Sequence, residues 1–221
     1  MKRSFDAIIF DLDGTLADTM DDVSDTINLA RRRMGHPPLE RDVIRTAIGP
    51  GKDIFLNTLL PEGNESEQES FLNLFREIYW DGCLTNTHLF DGMHDVLDHV
   101  NGRPLAVASN KPSRYTERIL TGLAVRDRFT VILGPEDVTH TKPHPEMIIK
   151  ALAVLNTKSE NTLFVGDTQM DLDAGRGAGV PFCLARYGYG DEAFFTSTNS
   201  EYSINKPVDL LNIVGNHNTT A

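Results

Sequence analysis

Short apolar, β-forming runs separated by helical stretches predict an α/β protein built on a parallel sheet, with an all-helical insertion after the first strand. Three observations carry this. Residues 7–10, 105–108, 130–133, 162–165 and 182–185 are brief runs rich in Val, Ile, Leu, Phe and Ala, the signature of strands buried on both faces. Helical patterns lie between them, as right-handed crossovers require. Four helical patterns then follow one another after the first run, interrupting the alternation.

Ala7-Ile8-Ile9-Phe10 is a buried strand that Gly14 closes off. Val23, Ile27, Ala30 and Met34 recur at helical spacing, and Gly35 supplies a stop. Residues 40–48 form a second helix ended by Gly49-Pro50-Gly51, and residues 53–60 a third stopped by Pro61. A polar linker over 62–68 precedes a fourth helix marked by Phe71, Leu74, Phe75 and Ile78. Alternation then resumes: helix 95–100, strand 105–108, helix 114–121, strand 130–133, helix 145–155, strand 162–165, helix 172–178, and a last clear strand at 182–185. The tail from Asn216 is polar and expected to fray. The whole reads as a Rossmann-like core of residues 1–17 and 86–221, with a helical unit of residues 18–85 inserted in it.

The 221 residues suffice for one such core and its insertion. No apolar run approaches the roughly 18 residues of a membrane span, and the first residues show no signal-peptide pattern. Cys83 and Cys183 form no paired motif, so a cytoplasmic protein with reduced thiols is expected. A formal net charge of −11 argues against a nucleic-acid partner. The same field repels an anionic substrate, so a metal ion or local cations must compensate. Arg31-Arg32-Arg33, at the end of the first helix, is expected to face solvent and complement the helix dipole.

Function is sharpest where polar residues follow strands. Asp11 and Asp13 come directly after the first strand, two apart and so able to face one space. Crowded carboxylates repel unless a cation or shared proton relieves them, which suggests Mg²⁺ binding or paired acid–base chemistry. Ser109, Asn110 and Lys111 follow the 105–108 run; Gly166, Asp167, Thr168 and then Asp171 follow the 162–165 run. Ligands of open α/β sheets bind beyond the carboxyl ends of strands, so these groups converge on one edge. Lys142, in Thr141-Lys142-Pro143-His144-Pro145, brings a cation to it. Singly, each has a plain structural role: Ser109 or Asp167 as a cap, Asn110 in a turn, Asp171 exposed in a first helical turn, Lys142 in solvent. Jointly they fit phosphoryl transfer, in which oxygens must be neutralised and the attacking and leaving atoms held in line. Asp11 can then attack as nucleophile, while Asp13 carries protons.

Four stretches in order, Asp11-Leu12-Asp13-Gly14-Thr15, Ser109-Asn110, Lys142-Pro143 and Gly166-Asp167-Thr168-Gln169-Met170-Asp171, resemble the phosphatases of the haloacid-dehalogenase-like superfamily. The resemblance implies Asp11 as the nucleophile of an aspartyl-phosphate intermediate and Asp13 as the acid and base. It implies Ser109, Asn110 and Lys142 around the substrate phosphate. Mg²⁺ would be held by Asp11, the backbone carbonyl of Asp13 and Asp167, with Asp171 in support. The insertion is similar to the family's mobile cap. Ala47-Ile48-Gly49-Pro50-Gly51, Thr87-His88-Leu89-Phe90, Lys142-Pro143-His144-Pro145 and Arg186-Tyr187-Gly188-Tyr189-Gly190 resemble the phosphoglycolate phosphatase branch. The expected substrate is a small phosphorylated metabolite, 2-phosphoglycolate first. Alternatives are an inorganic pyrophosphatase, a sugar-phosphate phosphatase or, less favoured, a β-phosphoglucomutase-like isomerase; a non-catalytic phosphate binder or phosphoacceptor signalling protein is the alternative of another class. A monomer or homodimer is expected.

Arg45 and Lys52 flank the insertion's loop, where they could meet a substrate carboxylate or stand in solvent. Gly49-Pro50-Gly51-Lys52 fails the P-loop pattern at Thr46 and Asp53, and Gly175, Gly177 and Gly179 do not open a helix as a dinucleotide fingerprint does, serving close packing near the site instead. His140 and His144 are four apart, but Pro143 and Pro145 rule out a shared helical zinc face.

Overall fold

Residues 5–215 are described by the computed structural model. From β1 (Ala7–Phe10) the chain passes β2 (Ala17–Asp18) into α1 (Met20–Arg33), α2 (Arg41–Ala47), α3 (Lys52–Leu59) and α4 (Glu65–Gly82), and returns through β3 (His88–Leu89). There follow α5 (Met93–His99), β4 (Leu105–Ala108), α6 (Ser113–Gly122), β5 (Val131–Leu133), α7 (Glu146–Leu155), β6 (Thr162–Gly166), α8 (Gln169–Gly177), β7 (Phe182–Ala185), α9 (Glu192–Ser197), β8 (Tyr202–Ile204) and α10 (Leu211–Val214).

Six strands form one parallel sheet in the order β5-β4-β1-β6-β7-β8. β1 is central: Ile8 lies opposite Leu105 on one side and Leu163 on the other. Both its faces are covered, which is why Ala7-Ile8-Ile9-Phe10 is apolar throughout rather than alternating. Alternate residues serve different layers. Ile8, Phe10, Val107 and Val165 join one cluster that continues through Ile27, Leu56, Phe71 and Tyr79 of the inserted helices. Ile9, Ala106 and Phe164 meet Met147, Ile148 and Leu172 of α7 and α8 on the other face. The chain builds outward from β1 through β4 and β5, then crosses to β6 on the opposite side. That reversal opens a crevice at the carboxyl end of β1.

Several expectations shift. The linker over 62–68 is helical from Glu65, because Asn64 caps α4 by accepting from the Glu67 N–H at 3.0 Å, and Glu65 and Glu67 favour the first turn. β7 is not the last strand; β8 adds an edge, preceded by α9. Arg31 does not face solvent. It is 5% exposed, and its guanidinium donates to the carbonyls of Pro37 (2.9 Å) and Leu59, tying α1 to the loop and helix beyond it. Gly175 and Gly177 admit close packing: a Cβ there would lie 3.2 Å from Phe164 and 3.1 Å from Pro145, respectively. The tail from Asn216 lies outside the described residues. No helix among the described residues is long and apolar enough to cross a membrane.

Candidate active site

The end of β1 turns tightly over Leu12, whose carbonyl accepts from the N–H groups of Thr15, Leu16 and Ala17. Gly14 takes φ +83° in this turn, a conformation that suits glycine. A Cβ there would also sit 2.3 Å from Asp167 Oδ2. Gly188 closes on Asp167 from the other side, leaving 2.3 Å between a notional Cβ and the Cβ of Asp167. Asp167 is thereby cradled, with Thr15 Oγ1 donating to its Oδ1 (2.8 Å) and the Tyr189 N–H to its Oδ2 (2.6 Å).

Lys142 binds the carboxylates together. Its Nζ lies 2.9 Å from Asp11 Oδ1 and 2.6 Å from Asp171 Oδ1. Asp171 is not an exposed residue of a first helical turn; it is fully buried. Its Oδ2 accepts from the N–H and hydroxyl of Thr168 at 3.0 and 2.6 Å, which makes Thr168, not Asp167, the cap of α8. Asp171 thus fixes both the start of α8 and the ammonium of Lys142. Ser109 is buried at the end of β4, where its Oγ accepts from the Lys111 N–H at 3.3 Å.

The Asn110 side chain bonds within the protein. Its carboxamide donates to the carbonyls of Gly49 (2.6 Å) and Lys142 (2.9 Å) and accepts from the Lys142 N–H (3.0 Å). It therefore holds the Lys142 segment, whose Lys142-Pro143 bond is cis, and links it to the inserted helices. Asn110→Ala is expected to destabilise the protein by about 1–3 kcal/mol, the cost of leaving such groups unpaired, and to lower kcat more than it raises KM. Denaturant unfolding and steady-state kinetics check this.

Arg45 makes a second link, donating to the carbonyls of Tyr189 (3.0 Å) and Gly190 (3.3 Å), while Lys52 is exposed at the start of α3. His140 and His144 share no helix, but their rings lie 4.6 Å apart beside Glu146. The Glu146 carboxylate already accepts from the N–H groups of Thr139 and His140.

Lys111, which the sequence places on this edge without a role, is a central group of the site. Its Nζ reaches Asp13 Oδ1 at 2.7 Å and Oδ2 at 3.0 Å and lies 5.0 Å from the ring centre of Tyr79 on α4. Asp13 Oδ1 also accepts from Thr19 Oγ1 at 2.5 Å. The signal was available: Lys111 is the third polar residue in succession after a buried strand.

Four buried carboxylates (Asp11, Asp13, Asp167 and Asp171) face two buried ammoniums (Lys111 and Lys142), so their charges sum to −2 when all are ionised. Burial pushes the Asp11 carboxyl up to about 6; Lys142 opposes this, while Asp171 and Asp13 add to it. Asp167 is raised well above the usual range by burial, then by Asp171 and Asp11. Burial draws the Lys142 ammonium down, but Asp11 and Asp171 outweigh it and hold the group charged. The ligand atoms of Asp11, Asp167 and Asp171 lie within 4.8 Å of one another, and Asp11 Oδ1 has no hydrogen-bond donor despite its ion pair. Hard oxygen donors, excess negative charge and an undersatisfied oxygen fit a divalent cation such as Mg²⁺.

Residues 8–185 match the haloacid dehalogenase-like hydrolase family. The chain is 31% identical over 212 residues to the N-acetylmuramic acid 6-phosphate phosphatase of Pseudomonas putida, covering 94% of this chain and 95% of that protein. It is 30% identical over 212 residues to the phosphoglycolate phosphatase of Aquifex aeolicus, covering 95% and 97%. A crystal structure of a predicted phosphoglycolate phosphatase from Haemophilus somnus superposes with a TM-score of 0.91 at 27% identity, over 96% of this chain and 98% of that one.

Proposed function

The chain belongs to the haloacid dehalogenase-like hydrolase family and is a phosphoric monoester hydrolase, and from that premise we propose that it hydrolyses a small carboxylate-bearing phosphate ester, 2-phosphoglycolate first, through an aspartyl-phosphate on Asp11. The observation that carries this reading is the buried set of Asp11, Asp13, Lys142, Asp167 and Asp171 at the carboxyl end of β1. The two named relatives' substrates share a chemistry: each is a phosphate monoester that also carries a carboxylic acid.

In this reading Asp11 attacks phosphorus in line with the ester oxygen, and Asp13 delivers a proton to that oxygen as it leaves. Asp13 then takes a proton from the water that cleaves the aspartyl-phosphate, returning Asp11 and releasing phosphate. Lys142 and Ser109 steady the phosphoryl oxygens, Lys142 by charge and Ser109 through its hydroxyl; Asn110 acts by holding Lys142. Asp11, Asp167 and the backbone carbonyl of Asp13, with Asp171 behind them, would hold Mg²⁺, which would neutralise phosphoryl charge when bound. Residues 18–85 serve as a cap, and the contacts of Asn110 with Gly49 and of Arg45 with Tyr189 and Gly190 support a closed arrangement that excludes stray water.

A panel of phosphate esters assayed with Mg²⁺ tests the substrate. Phosphoglycolate should give the highest kcat/KM. A far higher value for pyrophosphate or a sugar phosphate, N-acetylmuramic acid 6-phosphate included, would sink that assignment. The metal assignment has its own test. The folded-state value of Asp11 lies above its ordinary one, so its contribution to stability is fully present below about pH 4 and lost as pH rises through about 6. Mg²⁺ requires the ionised carboxylates and competes with protons for Asp11 and Asp167. The rise in Tm on adding Mg²⁺ should therefore be larger at about pH 7.5 than at about pH 5. A rise independent of pH removes Asp11 and Asp167 as ligands.

A further inference from the structure

Lys111 and Tyr79 form a buried cationic corner beside Asp13 that the mechanism above leaves without a task. Lys111 Nζ touches both oxygens of Asp13, at 2.7 and 3.0 Å, and its side chain is 8% exposed. Burial draws the ammonium's pKa down, but Asp13 outweighs that effect and Tyr79 adds to the rise, so the group stays charged. Tyr79 is 1% exposed, and beside the Lys111 ammonium its hydroxyl finds no acceptor for its own proton. A buried hydroxyl left without an acceptor is costly, and this one belongs to the ring over which Lys111 lies. Lys111 comes from the end of β4 and Tyr79 from α4, so the corner is assembled only where the inserted helices meet the sheet.

Asp13 has acceptor contacts at both oxygens, from Lys111 at each and from Thr19 at Oδ1. To donate a proton to a leaving oxygen, one of these contacts has to be released. An ester oxygen that meets Asp13 brings the substituents of its own carbon within reach of Lys111. A carboxylate on that carbon would draw the ammonium onto itself, while Tyr79 could donate its free hydroxyl.

Resting on the phosphatase reading, we propose that Lys111, with Tyr79, is the specificity-determining site for a carboxylate on the carbon that bears the ester oxygen, selecting 2-phosphooxy acids over uncharged esters of the same size. Lys142 neutralises the phosphoryl end and Lys111 the acid end, so a dianionic head and a carboxylate are accommodated despite the chain's charge of −11. Esters whose carboxylate lies further from phosphorus reach Lys111 less well, which separates 2-phosphoglycolate from larger acidic phosphates.

The test compares kcat/KM for 2-phosphoglycolate with that for ethyl phosphate, which lacks the carboxylate, in the unaltered protein and in Lys111→Met, Lys111→Arg and Tyr79→Phe. The unaltered protein should prefer 2-phosphoglycolate. In Lys111→Met the ratio of the two values should fall about 10- to 100-fold, the scale of a lost charge-assisted hydrogen bond. Lys111→Arg should recover part of the ratio, and Tyr79→Phe should lower it less, through KM rather than kcat. A role confined to holding Asp13 or binding the phosphoryl group would depress both substrates alike, so an unchanged ratio in Lys111→Met overturns the proposal. No preference in the unaltered protein overturns it without any variant having to fold. Failure of the unaltered protein to hydrolyse either ester or p-nitrophenyl phosphate with Mg²⁺ present would instead remove the phosphatase reading.

Discussion

Asp11→Asn is expected to abolish turnover, by roughly 10⁴-fold or more as for other enzymes stripped of a nucleophile, while leaving the fold intact. Asn keeps the shape of Asp and loses only its charge and its capacity to attack phosphorus. The metal-free variant should be more stable than the unaltered protein near neutral pH. Burial, and then the charges of Asp171 and Asp13, hold the Asp11 carboxyl at about 6 even with Lys142 beside it. Ionising it at pH 7 therefore carries a cost on the order of a few kcal/mol, which Asn avoids. Lys142 retains Asp171 at 2.6 Å, so its ammonium stays paired. Phosphate release and thermal unfolding with and without Mg²⁺ separate the effects: loss of turnover, higher metal-free Tm, and a smaller Mg²⁺-induced rise. Retained turnover would remove Asp11 as nucleophile, and a lower metal-free Tm would contradict the electrostatic account.

The parts of this protein that were legible in its sequence share one physical cause. β1, β4, β6 and β7 lie inside a parallel sheet and are buried on both faces, so their composition alone separates them from the surrounding helices. Asp11, Asp13, Ser109 and Asp167 were legible because they closely follow β1, β4 and β6. β8 was not, because Tyr202-Ser203-Ile204 sits at the sheet edge with Ser203 exposed. The two-residue β2 and β3 are too short to show a period. Tertiary contacts decided the rest. Arg31 reads as a solvated charge until α3 ends beside it and offers the Leu59 carbonyl. The bonds of the Asn110 carboxamide to the carbonyls of Gly49 and Lys142 likewise join residues 61 and 32 positions apart. The standing of Lys111 depends on Asp13, 98 positions away, and on Tyr79 from the insertion, a pairing that no local pattern encodes.

Lys142→Met should change stability in the opposite direction from Asp11→Asn, and that opposition is the stricter check on the electrostatics. Lys142 Nζ stands between Asp11 and Asp171 with 3% of its side chain exposed. Met fills similar space but leaves two buried carboxylates facing each other with Asp167 close by. Removing one partner of a buried pair costs about 3–5 kcal/mol, so the metal-free variant should lose that much stability near pH 7. The penalty should shrink as pH falls toward about 6, because without Lys142, which lowers its pKa, the Asp11 carboxyl takes up a proton and sheds its charge above that value. Turnover should fall about 10²- to 10³-fold through loss of phosphoryl-charge stabilisation. Mg²⁺ should restore part of the stability, since it also neutralises Asp11 and Asp167, but not the turnover. In the double variant Asp11→Asn, Lys142→Met, only Asp171 still needs the missing cation, so the loss should be smaller than in Lys142→Met alone. Additive effects in that cycle would mean that Lys142 and Asp11 do not interact as their 2.9 Å separation requires.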